Sequence, residues 1–140
     1  MKTLQYLLLC ASAFIFVSCQ DYGTKYSPDK EHEVYYKGEG VTETHAKKLT
    51  DFLITNNYFQ AGREATVQIE KIKDTFNLNF VYNKDAVTGQ IETAFHAFGG
   101  FASTQVFDSA PVTITLCDKY MKAFKKLGYA PPMRLNTPAE

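Results

Sequence analysis

The amino-acid sequence predicts one α+β domain of the ferredoxin-like class, a split β-α-β two-layer sandwich with the order β-α-β-β-α-β and a C-terminal helix. Two patterns predict it. The chain contains strand-like segments, in which apolar and polar residues alternate, and helix-like segments, in which apolar residues recur every three or four positions; the two kinds are interspersed along the sequence. Two alternating segments also follow each other across a short turn, which is typical of a hairpin. A different strand order and a cystatin-like sheet are the alternatives.

The first half of the domain is predicted as a strand followed by a helix. Residues 33–37 alternate and are followed by Gly38, which ends the strand. Thr42 is a good N-cap for the helix, and Asn56 and Asn57 can close it in a left-handed turn. One face of this helix carries an apolar stripe that would pack on the sheet, formed by Ala46, Leu49, Phe52 and Leu53.

The central hairpin is predicted together with its register. Strands at 64–72 and 76–82, joined by a tight turn at Lys73 and Asp74, bring apolar residues opposite apolar partners, and a one-residue slip would destroy that match. The predicted pairs are Lys71 with Phe76, Ile69 with Leu78, Val67 with Phe80, and Ala65 with Tyr82.

A second amphipathic helix is predicted from about Thr88 to Val106. Gly99 and Gly100 lie inside its apolar stripe, where each glycine weakens the helix by about 1 kcal/mol relative to alanine. A kink beside a binding surface would explain them, but we favour close packing against the sheet or the first helix.

The end of the domain is predicted as a strand and a third helix. Residues 112–116 alternate and form the fourth strand. Asp118 would cap the third helix and Gly128 would end it, so that the domain spans 33–129. The proline-rich residues 130–140 are expected to form a disordered tail.

The N-terminal residues predict a lipid anchor. Residues 1–18 combine a basic start with an apolar run that is too short for a membrane span, which needs about 20 residues, and they read as a signal peptide. Residues 16–19 resemble a lipobox, the motif of bacterial lipoproteins. The resemblance implies that Cys19 carries a diacylglycerol and, on its new amino group, a fatty acid such as palmitate. Residues 19–32 would then be a lipidated flexible tether.

The charge and cysteine content exclude several classes of protein. The chain has 15 basic and 15 acidic side chains, and the basic ones are scattered, so a nucleic-acid partner is not expected. After processing at Cys19, only Cys117 remains as a thiol, so an intramolecular disulfide is excluded. No motif for a cofactor or a metal is present, and neither is expected.

The body of the chain is similar to an uncharacterised small α/β module of bacterial membrane and secreted proteins. The likeness covers about Val34 to Asp118. It rests on Tyr35-Tyr36, on residues 40–42, 46–49 and 58–59, and on the run 111–118. The resemblance implies a fold, but no activity and no site residues.

Four residues are candidates for chemistry. Cys117 would precede a helix N-terminus, where a thiolate is stabilised, yet a buried structural cysteine is the interpretation we favour. His32 is expected in a solvated charged stretch, His45 exposed at the start of the first helix, and His96 packed on the second helix. Split β-α-β topology would bring Cys117 near His32 and far from His45, because strand four would lie beside strand one.

The predicted function is therefore binding rather than catalysis. We expect a non-enzymatic envelope lipoprotein that reaches the membrane through Cys19, in the outer rather than the inner membrane, and binds an envelope protein. A small thiol-dependent enzyme that uses Cys117 and a structural envelope component are the alternatives. The sheet face expected to be free of helices is a candidate binding face, with Thr66, Gln68, Asn77, Asn79, Thr113 and Thr115.

Overall fold

The computed structural model describes residues 21–134 and has the predicted α+β class, with a six-stranded mixed sheet and two α-helices. Residues 1–18 and Cys19 lie outside the described residues. The strands are β1 (Thr24–Tyr26), β2 (His32–Lys37), β3 (Ala65–Ile72), β4 (Thr75–Val81), β5 (Val112–Cys117) and β6 (Ala123–Ala130). The helices are α1 (Glu43–Thr55) and α2 (Gly89–Gln105), with a short 3-10 helix at Lys84–Ala86.

The strand order differs from the expected ferredoxin-like order. The strands lie in the sheet in chain order, from β1 to β6. The pairs β2–β3 and β4–β5 are parallel, and the other neighbouring pairs are antiparallel. The expected neighbours, strands one and four of the prediction, are β2 and β5, and both β3 and β4 lie between them.

Both helices cover the same face of the sheet. His45 of α1 lies with its ring 5.3 Å from that of Phe76, and a Cβ on Gly99 of α2 would meet Ile114. Phe76 and Ile114 share a face because Phe76 is paired with Val112, two residues before Ile114.

This arrangement requires one unusual connection. The two parallel pairs run in opposite directions, and both helical connections step across the sheet in the same sense. Two right-handed connections would therefore place the helices on opposite faces. Because both helices share one face, one of the two connections is left-handed, whereas about 98% of such connections are right-handed.

The local predictions for the hairpin and the helix starts are confirmed. Thr42 and Thr88 are the N-caps of α1 and α2, and Asn57 has the left-handed conformation that ends α1, with φ of 57°. Lys73, with φ of 55°, forms the two-residue turn between β3 and β4. Three of the predicted pairs occur in the observed register, namely Lys71 with Phe76, Ile69 with Leu78, and Val67 with Phe80.

The prediction of a third helix after Asp118 is wrong. The Asp118 carboxylate accepts hydrogen bonds from the backbone N–H groups of Tyr120 and Lys122, at 2.9 and 3.0 Å, and closes a turn. The chain then runs back along β5 as β6. Pairing with β5 satisfies the backbone groups of an otherwise open strand, and this long-range gain outweighs the local helical spacing of the apolar residues.

The segments expected as tether and tail both contain ordered structure. Thr24–Tyr26 form β1, an edge strand that pairs with β2. After β6, the Met133 N–H donates to the Gly100 carbonyl at 2.9 Å, and the Thr104 hydroxyl donates to the Met133 carbonyl at 2.6 Å. Residues on both sides of the predicted domain therefore pack on it.

The core lies between the sheet and the two helices, as predicted. Phe80 and Leu116 are fully buried. Phe52 of α1 meets Phe98 of α2 edge to face, with ring centres 5.1 Å apart. A Cβ on Gly99 would lie 2.7 Å from Ala130 and 2.8 Å from Ile114, which confirms packing on the sheet as the reason for the glycine.

Candidate binding site

Two adjoining clefts open at the end of the sheet where β4 and β5 finish and β3 and β6 begin. Their volumes are about 550 and 650 Å³, which is within the range of natural ligand sites. The two clefts share four lining residues, Glu64, Val81, Tyr82 and Asn83. A ligand that enters one cleft can therefore extend into the other.

The first cleft, called the aromatic cleft below, is lined mainly by aromatic and aliphatic side chains. Tyr82 meets Phe95 edge to face, with ring centres 5.3 Å apart, and the ring of Tyr58 lies 5.8 Å from that of Phe98. Arg63 and Glu64 lie at its rim. The full lining is Asn57, Tyr58, Arg63, Glu64, Ala65, Val81, Tyr82, Asn83, Ala86, Ile91, Ala94, Phe95 and Phe98.

The end of α1 places Tyr58 in this cleft. Asn57 turns the chain with a positive φ, and the Tyr58 N–H then donates to the Leu53 carbonyl at 2.9 Å. Burial raises the pKa of Tyr58 well above its ordinary value, with a further contribution from Tyr82. Its hydroxyl therefore stays protonated at neutral pH. Because it makes no hydrogen bond with residues 21–134, it is available to a ligand.

The second cleft, called the basic cleft below, has lysines around its opening. Lys84 lies in the short 3-10 helix. Asn83 is the N-cap of this helix, and its side chain accepts a hydrogen bond from the Asp85 N–H at 3.0 Å. Lys119 and Lys122 lie in the β5–β6 turn that Asp118 closes. The full lining is Glu64, Val81, Tyr82, Asn83, Lys84, Asp118, Lys119, Lys122, Ala123 and Phe124.

The clefts carry an excess of positive charge. Four cations line them, Arg63, Lys84, Lys119 and Lys122, against the two carboxylates of Glu64 and Asp118. None of the four cations is in an ion pair with a carboxylate of the described residues, in which the ion pairs join other side chains. All four are exposed. The chain as a whole has equal numbers of basic and acidic side chains, whereas among the residues that line the clefts the cations outnumber the carboxylates.

The predicted binding face is a connected polar network. The Asn79 amide donates to Gln68 at 2.7 Å, and Gln68 donates to the backbone carbonyl of Tyr22 at 2.9 Å. Asn77 donates to Asn79 at 2.8 Å. Thr113 and Thr115 both donate to Asn77, at 2.9 and 3.2 Å, and Thr66 is half-buried on the same face.

This network differs from the exposed surface that we expected. Gln68, Asn79 and Thr115 are buried, and the hydrogen bonds that they make satisfy them internally. Tyr22, from the expected tether, supplies the acceptor at one end. A polar group that is already satisfied has less to gain from a partner than an unpaired group.

Cys117 lies away from every histidine among the described residues. It is 1% exposed, and burial, with a smaller effect of Asp118, raises the pKa of its thiol to about 11. Its neighbour strands are β4 and β6, so three strand spacings, roughly 14 Å, separate it from β2 and His32. The expected approach to His32 is wrong because the strand order differs, while His45 lies at the other end of β4, as expected.

His32 is a structural residue and not the solvated one that we expected. It is 3% exposed. Its Nδ1 lies 2.6 Å from the Asp29 carboxylate and its Nε2 lies 3.1 Å from the Gln60 carbonyl. Its ring stacks on Phe59 with centres 4.5 Å apart. The residue ties the β1–β2 connection to the loop that follows α1.

The two other histidines also have structural surroundings. The Thr42 N–H donates to Nδ1 of His45 at 3.1 Å, which caps the start of α1. Partial burial, followed by the charges of Lys48 and Lys71, lowers the pKa of His45. His96 is half-buried on α2 and makes no hydrogen bond with the part of the chain that the structure describes.

Within residues 21–134, no three His, Cys, Asp or Glu side chains come together as metal ligands would. Neither helix in that range has the length and apolar character that crossing a membrane requires.

Sequence reasoning missed both clefts. In the sequence, Tyr82 belongs to the apolar alternation of a strand and Phe95 to the apolar stripe of a helix, and the lysines are scattered. The clefts form where chain segments far apart in sequence meet, and that depends on the strand order. A usable signal was the short aromatic run at 58–59 directly after a helix end, which we treated only as part of a resemblance.

The comparisons with known proteins give the chain a family. Residues 29–128, well over half of the chain, match the family model AF_1994_N, described as the N-terminal domain of its family. The match contains the whole segment from β2 to β5 and both helices. No curated protein and no solved structure matched. The chain therefore belongs to the AF_1994_N family.

Proposed function

We propose that this protein is a lipid-anchored, non-enzymatic binding module of the bacterial envelope whose partner is a protein. The observation that carries the proposal is the pair of clefts, which join aromatic walls to unpaired cations. Aromatic and arginine side chains dominate the binding energy of protein interfaces when they lie around a pocket. A concave site at the end of a sheet fits that role better than the satisfied polar network on its face.

Support for the anchor comes from the sequence. The apolar run that ends at Ser18 and Cys19 has the length of a signal peptide. A diacylglycerol and an amide-linked fatty acid together anchor a protein stably, because each buried methylene contributes about 0.8 kcal/mol. We favour the outer membrane as the location.

The proposal is preferred over a thiol-dependent enzyme because of the surroundings of Cys117. Thiolate is the nucleophilic form, and a pKa of about 11 leaves very little of it at neutral pH. A general base has to lie within hydrogen-bond reach, and the described histidines do not. A purely structural envelope component would have no use for an open cleft.

The anchor is tested by mass spectrometry of the native protein. We expect a mature chain that starts at Cys19 and carries acyl chains, and we expect Cys19→Ala to abolish both the acylation and the normal processing. An unmodified terminus, or a start at another residue, would refute the anchor.

Binding is tested by photo-crosslinking in intact cells. A photoreactive phenylalanine derivative replaces exposed Ala86, which lines the aromatic cleft, or exposed Asp74, which lies in the turn at the other end of β4. We expect a discrete protein adduct from position 86 and none from position 74. Equal labelling at both positions, or none at either, would contradict the proposal.

A further inference from the structure

We infer that the two clefts bind an acidic peptide segment of the partner, which inserts a bulky apolar side chain into the aromatic cleft and presents carboxylates to the basic cleft. The inference rests on the proposed function and specifies its ligand. The size, the shape and the charge of the site each fit such a peptide.

The aromatic cleft suits an apolar side chain with a polar atom at its edge. Phe95 is almost fully buried, and together with Tyr82 and Phe98 it forms a wall that an aromatic or large aliphatic group can cover. Such a contact excludes water from apolar surface and adds edge-to-face ring contacts. The unpaired hydroxyl of Tyr58 can donate to a backbone carbonyl of the segment.

The basic cleft suits carboxylates. Lys84 from the 3-10 helix and Lys119 and Lys122 from the β5–β6 turn all line this one cleft. Nζ of Lys119 also lies 5.0 Å over the ring of Tyr120. Exposed cations gain little from one exposed anion, but several cations around one site attract a run of acidic residues and raise its association rate.

The geometry favours a chain over a compact small molecule. The two clefts share Val81 and Tyr82 in their linings, and each of them, at about 550 and 650 Å³, is large enough to hold a small ligand by itself. A compact ligand in one cleft would therefore leave the other cleft unoccupied. A peptide can place one side chain in the first cleft while its next residues cross the shared rim. Glu64, which lines both clefts, and Arg63, which lines the aromatic cleft, can pair with the peptide backbone and with charges of either sign.

The test uses fluorescence anisotropy with the full chain in detergent and a labelled peptide that has one phenylalanine followed by a run of aspartates. Two comparison peptides replace either the phenylalanine by alanine or the aspartates by asparagines. We expect saturable binding of the first peptide, and a loss of about tenfold or more in affinity for each comparison peptide, which corresponds to about 1.4 kcal/mol. Added salt should weaken the binding.

Two protein variants, each with a matched control, test whether the peptide binds in the two clefts. The variant K119E/K122E should weaken binding by about tenfold or more, whereas K48E/K73E, which makes the same charge change at exposed lysines outside both clefts, should change it by less than about twofold. Ala94→Phe fills the aromatic cleft from an exposed position and should abolish binding. Thr93→Phe, one residue earlier and outside the lining, should not.

The outcomes separate this inference from the proposed function. Crosslinks at position 86 in cells, without binding of the acidic peptide, would refute the inference and leave a protein-binding module. Binding to anionic lipid vesicles that equals peptide binding and depends on the same lysines would also refute it, because the site would then recognise a membrane surface. Absence of both crosslinks and peptide binding would refute both proposals.

Discussion

Gly99→Ala tests the packing of α2 on the sheet more sharply than a truncation does, because two effects of known size oppose each other. A Cβ at position 99 would lie 2.7 Å from the Cβ of Ala130 and 2.8 Å from Cδ1 of Ile114. Both are closer than ordinary carbon–carbon contacts, which begin at about 3.5 Å. The two neighbours belong to β6 and β5, so the helix has to move away from two strands at once.

The expected change in the free energy of unfolding follows from the two effects. Alanine favours a helix over glycine by about 1 kcal/mol. Overpacking a core costs typically about 1–3 kcal/mol, and the upper part of that range applies because Ala130 has no rotamer with which to move aside. We therefore expect Gly99→Ala to lower the stability of the domain by about 1–2 kcal/mol.

Gly89→Ala is the matched control. Gly89 is the first residue of the same helix, and a Cβ there would meet nothing within 4 Å. This variant should be as stable as the wild type or more stable, by up to about 1 kcal/mol. Urea denaturation followed by circular dichroism measures both changes in the full chain. If Gly99→Ala proves as stable as Gly89→Ala, the close approach of α2 to β5 and β6 is wrong.

Further predictions concern the core, the thiol and two titrating groups. Phe80→Ala should lower the free energy of unfolding, measured by urea denaturation, by about 3–5 kcal/mol. A decrease below about 1 kcal/mol would mean that the face of β4 that carries Phe80 is not the buried one. Cys117→Ser should leave the crosslink at position 86 intact. Loss of the crosslink in a folded variant would contradict the conclusion that the Cys117 thiol has no part in the function. The hydrogen bond with His32 lowers the pKa of Asp29 below its ordinary 3.8, so the stabilisation by the Asp29 carboxylate is present above pH 3.8 and is lost as the pH falls. The difference in unfolding free energy between wild type and Asp29→Asn should therefore become smaller in acid. A difference that stays constant with pH would refute the interaction. Because the pKa of His45 is lowered from 6.5, the folded state binds fewer protons than the unfolded state and loses stability as the pH falls below 6.5. His45→Gln, which retains a capping side chain, should lose less stability over this pH range. Parallel plots of unfolding free energy against pH for the two proteins would contradict the interpretation.

Local elements could be predicted because short-range chemistry determines them. Thr42 is predicted as an N-cap and the second helix is predicted to begin near Thr88, and the register of the β3–β4 hairpin follows from the match between apolar residues. Each of these depends on residues within about a dozen positions of one another. The failure at β6 has the opposite cause, because the helical spacing after Asp118 was overridden by pairing with β5.

The candidate site could not be predicted in the same way. The aromatic cleft needs Tyr58 from the end of α1, Tyr82 from the end of β4, and Phe95 from α2 to meet at one end of the sheet. Their residue types are equally suited to an ordinary core. What distinguishes them is that the core ends there and leaves their edges open, and that property appears only once the strand order is known.

One short segment excludes the strand order that the sequence predicted. In a split β-α-β sheet the strand that corresponds to β2 is central, with both of its edges paired. In this protein β1 pairs with β2 as a hairpin, and Asp29 and His32 hold the connection between them. That hairpin needs a free edge on β2, so β2 cannot be central among the four strands that the prediction contained.

The handedness of the connections follows from the observed strand order and from the two faces of the sheet. The alternation in β3 and β4 requires one apolar and one polar sheet face, so α1 and α2 must both cover the apolar face. With the strands in chain order, only a left-handed connection allows this. The preference for right-handed connections is strong, yet two helices on opposite faces would bury the hydrogen-bonded side chains of Gln68 and Asn79 under an apolar helix, while the other face would lose half of its cover. The general handedness preference is therefore outweighed by the sequence pattern of the sheet, and the left-handed connection is the consequence of placing both helices on one face of strands that lie in chain order.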